Sequence, residues 1–216
     1  MKAVITFLIL VLLVNFSANA QPKSGLYLSV NPLAVLEPQA AYGAGIGYRF
    51  NEYLEISAEY ATLGSSAFFN DYRFTNVNGF RSVAQLKYTI SMNEEKYSKV
   101  FVGAEARYKT FNYLDVANFT NKQTGELLKD CAHQNTTTVK GFAAIIGKQF
   151  DLGYLSNWSL EFTAGIGVRN KNIQRSQTPE NSFIMPKDIG FGETPNYLEN
   201  HTSLYFPIGV RIMVRL

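Results

Sequence analysis

The sequence predicts an all-β fold, a single eight-stranded antiparallel up-and-down transmembrane β-barrel with short periplasmic turns and longer extracellular loops. Three observations carry the prediction. Segments of about ten residues alternate apolar and polar, and in a strand residues two apart share a face. The phrase Ile-Gly-x-Arg recurs at residues 46–49, 166–169 and 208–211, with a looser copy in Ile146-Gly147-Lys148-Gln149. It sets Ile and the next bulky residue on one face, and Gly with Arg on the other. A long charged side chain sharing a face with glycine implies a crowded polar interior and an apolar exterior. The third observation is an export signal: Lys2, an apolar run over residues 3–14 broken only by Thr6, and Ala18-Asn19-Ala20 before Gln21. That run is too short to span a bilayer as a helix, and no stretch of about 20 apolar residues follows it. No Cys stands after the cleavage site, so a lipoprotein anchor is not expected. The expected organisation is a signal peptide over residues 1–20 and a barrel domain over 21–216.

The strands follow in order. Residues 25–34 read as the first, with Leu26, Leu28 and Val30 alternating with Tyr27, Ser29 and Asn31. A short turn around Glu37-Pro38 leads to the second, residues 39–50, with Ala40, Tyr42, Ala44, Ile46, Tyr48 and Phe50 on its apolar face. Asn51-Glu52 suffices for a hairpin turn. The third places Leu54, Ile56, Ala58 and Tyr60 against Glu55, Ser57 and Glu59. Residues 64–78 read as a polar-aromatic loop. The fourth, residues 79–90, sets Ala84, Leu86 and Tyr88 against Arg81, Gln85 and Lys87. A charged turn over 91–98 precedes the fifth, where Val100, Val102 and Ala104 oppose Phe101, Gly103, Glu105, Arg107 and Lys109. Residues 113–134 read as a loop, and 137–150 as a sixth strand, apolar on both faces over 143–146. A turn over 151–157 leads to the seventh, with Trp158, Leu160, Phe162, Ala164, Ile166 and Val168 facing away from Ser159, Glu161, Thr163 and Arg169. Residues 170–200 are the longest loop, and 202–216 the last strand. Connections alternate short and long after the first, as periplasmic turns and extracellular loops do.

Alternation alone fits a soluble periplasmic ligand-binding barrel with its apolar face inward. The glycines decide between the two. Gly43, Gly45, Gly47, Gly103, Gly165, Gly167 and Gly209 fall on the polar face, where a water-facing strand gains nothing from glycine and a narrow interior needs the space. Tyr48, Phe50, Tyr53, Tyr88, Phe150, Tyr154 and Trp158 cluster at the short-turn ends, as an interfacial girdle would. The sequence also runs to its last residue within an apolar strand, whereas soluble termini are polar and frayed.

Composition excludes other classes. Without Lys2 the chain has 19 basic and 17 acidic residues, and no Lys/Arg block points to nucleic acid. Cys131 is the single cysteine, so no internal disulfide forms. Cys131-Ala132-His133 offers two ligands on one segment, too few for a metal centre. No cofactor or metal is expected.

The signal peptide, the eight strands, the early Asn31-Pro32-Leu33 and the terminal Pro207-Ile208-Gly209-Val210-Arg211 resemble the small outer-membrane β-barrel proteins of the OmpA/OmpX-like kind. More narrowly, the chain resembles the uncharacterised small barrels common in Bacteroidota. The resemblance implies residence in the outer membrane of a Gram-negative bacterium. It implies outer-membrane lipids and the barrel assembly machinery as partners, and a role in the cell envelope without catalysis. Leu216 departs from the pattern, because such barrels usually end in Phe, Tyr or Trp read by that machinery. No peptidoglycan-binding domain follows the last strand in this sequence, so that activity is not carried over.

The inward charges are Arg49, Glu55, Glu59, Arg81, Lys87, Glu105, Arg107, Lys109, Glu161, Arg169, Arg211 and Arg215. Both signs on neighbouring strands imply a salt-bridged plug, since buried charges persist only when paired and eight strands leave little room besides side chains. The alternative is a narrow solute path. An enzyme reading rests on His201-Thr202-Ser203, which puts His201 and Ser203 on one face. The arrangement resembles the His-x-Ser dyad of outer-membrane lipid A deacylases, where His activates Ser to attack an acyl ester. There Asn follows the Ser, whereas here Leu204 does. A third reading is interaction through the loops: residues 67–74 carry Phe68, Phe69, Tyr72 and Phe74, either a packed cap over the barrel mouth or a surface for an extracellular partner.

Overall fold

A computed structural model of the chain describes residues 24–37, 39–65, 75–93, 98–152, 157–176, 178–184 and 200–216. Its strands are β1 (Gly25–Val30), β2 (Gln39–Arg49), β3 (Leu54–Ser65), β4 (Thr75–Asn93), β5 (Ser98–Asn121), β6 (Leu127–Asp151), β7 (Trp158–Ser176), β8 (Ser182–Ile184), β9 (Asn200–Tyr205) and β10 (Ile208–Arg215). Neighbours from β1 to β7 pair antiparallel in chain order. β10 then pairs with both β7 and β1 and closes the sheet. β9 keeps the register of β10 on β7, with Val168 opposite Leu204 and Ala164 opposite Ile208. The two are therefore one wall strand interrupted at Phe206-Pro207, and the whole is a closed eight-stranded up-and-down barrel. β8 lies off this path, on β5.

The faces are inverted relative to a soluble core. Glu55, Arg81, Gln85, Lys87, Glu105, Gln149, Glu161 and Arg211 are buried, while Ile46, Ile146, Ile166 and Ile208 are 51%, 54%, 54% and 74% exposed. The period-two alternation forces this, because one face of every strand must enter a lumen about wide enough for side chains alone.

Turn chemistry sets the hairpins. Asn51 Oδ1 accepts from the Tyr53 and Leu54 amides at 2.9 and 2.8 Å, an Asx turn that reverses the chain between β2 and β3. At the tip of β5 and β6, Asn121 Oδ1 accepts from the Gln123 and Thr124 amides, and Gly125 takes φ +70, a left-handed conformation that glycine adopts without strain.

Several element bounds differ from those expected. The first strand stops at Val30, because Asn31 Oδ1 accepts from the Ala34 amide at 3.2 Å and caps a 3-10 helix over Pro32–Leu36. Proline at its first position has no amide to leave unpaired. Residues 113–134 are not a loop: β5 and β6 continue as a paired ladder from Leu114 opposite Gln134 to Thr120 opposite Leu127. A ladder needs only backbone partners, so it persists where neither face is uniformly apolar. β4 begins at Thr75 and extends to Asn93, and β7 reaches Ser176, each taking residues from a segment expected to be loop. The last strand breaks at Pro207, which has no amide for a ladder.

β1 pairs with β10 only over Tyr27–Val30 and with β2 only over Gly25–Ser29. Beyond that level no described strand pairs with the free edges of β2 and β9. The 3-10 helix packs there against β2 and β10, with Ala34 buried beside Ala41, Ala61, Leu63, Val77, Phe111 and Tyr113.

Candidate functional site

Among the described residues the largest group of buried ionisable side chains lies in the lumen, and strand parity puts them there. Glu55 is the hub near the short-turn end. Tyr27 donates to it at 2.7 Å, and Arg49, Lys87 and Lys99 lie 3.0, 3.1 and 3.4 Å away. Lys87 bridges onward to Glu161 at 2.6 Å and sits 5.1 Å over the Phe101 ring. Arg211 reaches Glu161 at 3.2 Å and Glu59 at 3.6 Å, and donates to Gln85. Gln85 in turn donates to Glu105 at 2.7 Å, and Arg107 pairs with Glu105 at 3.0 Å. Arg81 closes the upper part, 2.5 Å from both Glu59 and Glu37, and Lys109 lies 3.5 Å from Glu37.

Each buried carboxylate in this lattice faces at least one cation or amide donor, the condition under which buried charge persists. What space is left between Arg81, Glu105, Arg211, Thr163 and Pro207 has a volume of about 10 Å³, near the size of one water.

Of the residues singled out from the sequence, Arg49, Glu55, Glu59, Arg81, Lys87, Glu105, Arg107, Glu161 and Arg211 meet in this connected lattice. Arg169 stands apart, its Nε donating to Ser203 Oγ at 3.1 Å. His201 and Ser203 lie on the inner face beside it, in register with Lys171 and Arg169. Phe68, Phe69, Tyr72 and Phe74 lie outside the described residues. Sequence reasoning missed Glu37, Lys99, Asp151 and the neutral partners Tyr27, Gln85 and Gln149. Lys99 shares the parity of Phe101 and was findable on that ground. Glu37 and Asp151 fall in segments read as turns, and only the closed barrel brings them over Arg81 and Arg215.

The outer face is graded along the strands. At the short-turn end Tyr48 packs edge-on against Phe50 and Tyr53 stacks on Tyr88. Toward the other end Tyr60, Phe80 and Tyr108 form a continuous aromatic row. Past that row most outward side chains are polar, Val116 and Leu127 being exposed exceptions: Thr136 donates to Asn112 at 2.7 Å, and Asn170 donates to Asn200 at 3.0 Å. The outward stretch from Trp158 to Val168 on β7 covers roughly 33 Å along the strand, or about 25 Å at a tilt near 40°.

At the level of that polar zone, burial and the neighbouring Arg169 guanidinium push the Lys171 ammonium below its ordinary pKa. Among the described residues no group of acidic, His and Cys side chains could hold a metal ion. Fold and lumen together define a small eight-stranded β-barrel protein with a salt-bridged interior. No protein-family model matches the chain, and no curated protein or solved structure matches it either.

Proposed function

We propose that the chain is an integral outer-membrane barrel of a Gram-negative bacterium, delivered by a cleaved signal peptide. In this reading it is similar to the small OmpA/OmpX-like barrels and serves envelope integrity or surface interaction without catalysis. The observation that carries the reading is the graded outer face. An apolar belt of roughly 25 Å bounded by aromatics and followed by an Asn/Thr zone matches a hydrocarbon core with its interfaces. A soluble ligand-binding barrel would expose these isoleucines to water and bury charge where its ligand should sit. A non-catalytic role is favoured by the inward orientation of His201 and Ser203, because the acyl chains of a lipid would lie against the opposite face. The partners are outer-membrane lipids, the assembly machinery that inserts such barrels, and an extracellular partner reached through the loops.

The test is membrane fractionation with heat-modifiability on a detergent gel. The expected result is outer-membrane recovery, with an unheated species that migrates differently from the boiled one. A soluble protein without a mobility shift overturns the reading. Lipid A unchanged by overexpression is the expected result for the non-catalytic part, and deacylated lipid A overturns that part.

A further inference from the structure

A second set of cations on the inner face, toward the long-hairpin end, is not absorbed by the lattice around Glu55 and Glu161. Arg107 stands opposite Gly141, Gly141 opposite Arg169, and Arg169 opposite Ser203. These residues form one row across β5, β6, β7 and β9. The next row toward the mouth aligns Lys109, Val139, Lys171 and His201. Arg107 and Lys109 have their own carboxylates, Glu105 and Glu37. Among the described residues no carboxylate lies within ion-pair distance of Arg169 or Lys171. Among the described residues the charge facing Lys171 is the Arg169 guanidinium beside it.

A separate observation points into the same row. Tyr205 is 9% exposed, yet its hydroxyl has no hydrogen-bond partner among the described residues. Its ring lies over Gly141: a Cβ there would stand 3.2 Å from the ring's Cε1, Cζ and hydroxyl oxygen. The Arg107 guanidinium carbon is 5.9 Å from the ring centroid. Glycine at 141 therefore makes room for the Tyr205 ring between two arginine positions, and the ring's hydroxyl is a donor without a partner among the described residues. A buried hydroxyl without a partner is destabilising. Arg169, Lys171 and Tyr205 all supply donors, and the group that satisfies several donors at once while neutralising two cations is an oxyanion.

We propose that Arg169, Lys171, Tyr205 and Ser203 form a binding site for a tetrahedral oxyanion of the phosphate class at the long-hairpin mouth. The guanidinium and ammonium supply charge, and the two hydroxyls supply directed hydrogen bonds to the remaining oxygens. The phosphate is either free in solution or carried on a lipid headgroup. The inference rests on barrel register, the pairing of the inner-face cations and the Tyr205 hydroxyl, and stands whether or not the outer-membrane location holds.

The experiment titrates inorganic phosphate into the full-length folded barrel in phosphate-free detergent micelles, at constant ionic strength with chloride as reference, reading the thermal midpoint. The expected result is a saturable rise with phosphate and none with chloride. Arg169→Gln and Lys171→Gln are each expected to weaken the phosphate response about tenfold, the loss of one charged hydrogen bond. Tyr205→Phe keeps the ring over Gly141 and removes only the hydroxyl, so a several-fold weakening there identifies the donor itself. Lys148→Gln, on the outer face at the opposite end, titrates like the parent. Should Arg169→Gln fail to fold, Tyr205→Phe and Lys171→Gln carry the test. Equal responses to phosphate and chloride, or variants that titrate like the parent, overturn the proposal. A parallel titration with glycerol phosphate separates the sources: tighter binding than inorganic phosphate assigns a headgroup, and weaker binding assigns the free ion.

Discussion

Gly47 belongs to the first Ile-Gly-x-Arg phrase, and Tyr27 explains why nothing larger stands there. A Cβ at position 47 would lie 2.1 Å from Tyr27 Cζ, so any side chain displaces the ring whose hydroxyl donates to Glu55. Gly47→Ala is expected to lower the unfolding free energy in micelles by about 2–4 kcal/mol, combining overpacking with a lost charged hydrogen bond. Gly64, whose nearest contact would be 3.8 Å away, is the contrast. Gly64→Ala should stay within about 0.5 kcal/mol of the parent. The same denaturant titrations rank the charges. Lys87 is 3% exposed and bridges Glu55 to Glu161, itself 1% exposed. Lys87→Met leaves buried carboxylate charge with fewer partners and is expected to cost about 3–5 kcal/mol. Lys99→Gln should cost about 1 kcal/mol or less, because Glu55 keeps Arg49, Lys87 and Tyr27. Equal losses for the two lysines would contradict a lattice centred on Lys87.

At the level of elements, alternation made the walls legible wherever one face is apolar, and the inward parity of β2, β3, β4, β5 and β7 was readable residue by residue. It failed over residues 113–134, where the ladder climbs beyond the apolar belt and no face needs to be greasy. Backbone pairing continues there through Asp115 opposite His133 and Val116 opposite Ala132, a pattern that polarity alone reads as loop. The row of Arg107, Gly141, Arg169 and Ser203 was illegible for another reason. Parity assigns a residue to a face, but the alignment of four strands depends on turn and loop lengths that fix register. The break at Pro207 did carry a signal, since proline inside a strand marks an edge, and the short first connection is its counterpart. That edge has a kinetic consequence. Amides of β9, paired on one side with β7, are expected to exchange with solvent deuterium faster than those of Ala143, Ala144 and Ile145 in β6, which have strands on both sides. Equal protection in the two sets would mean that the edge of β9 is covered as completely as a central strand.

For the molecule as a whole, the question is whether eight strands around so many charges form a conduit or a solid. Charge alone favours a conduit, because a polar lumen in a membrane is the ordinary construction of a pore. Volume decides against it. Eight strands enclose little more than their own side chains, and the long ones here meet across the axis, Lys87 on β4 reaching Glu161 on β7 and Arg211 on β10 reaching Glu59 on β3. The void between Arg81, Glu105 and Arg211, about 10 Å³, holds about one water and no hydrated ion. Opening a path would separate several buried ion pairs together, each loss leaving uncompensated charge at about 3–5 kcal/mol, so thermal fluctuation does not sustain an open state. The barrel reconstituted in a planar bilayer is therefore expected to show no large, stable conductance at neutral pH. A steady ohmic current that scales with the number of inserted barrels would show that the lattice yields, and would turn the same arginines and glutamates from a plug into the lining of a path.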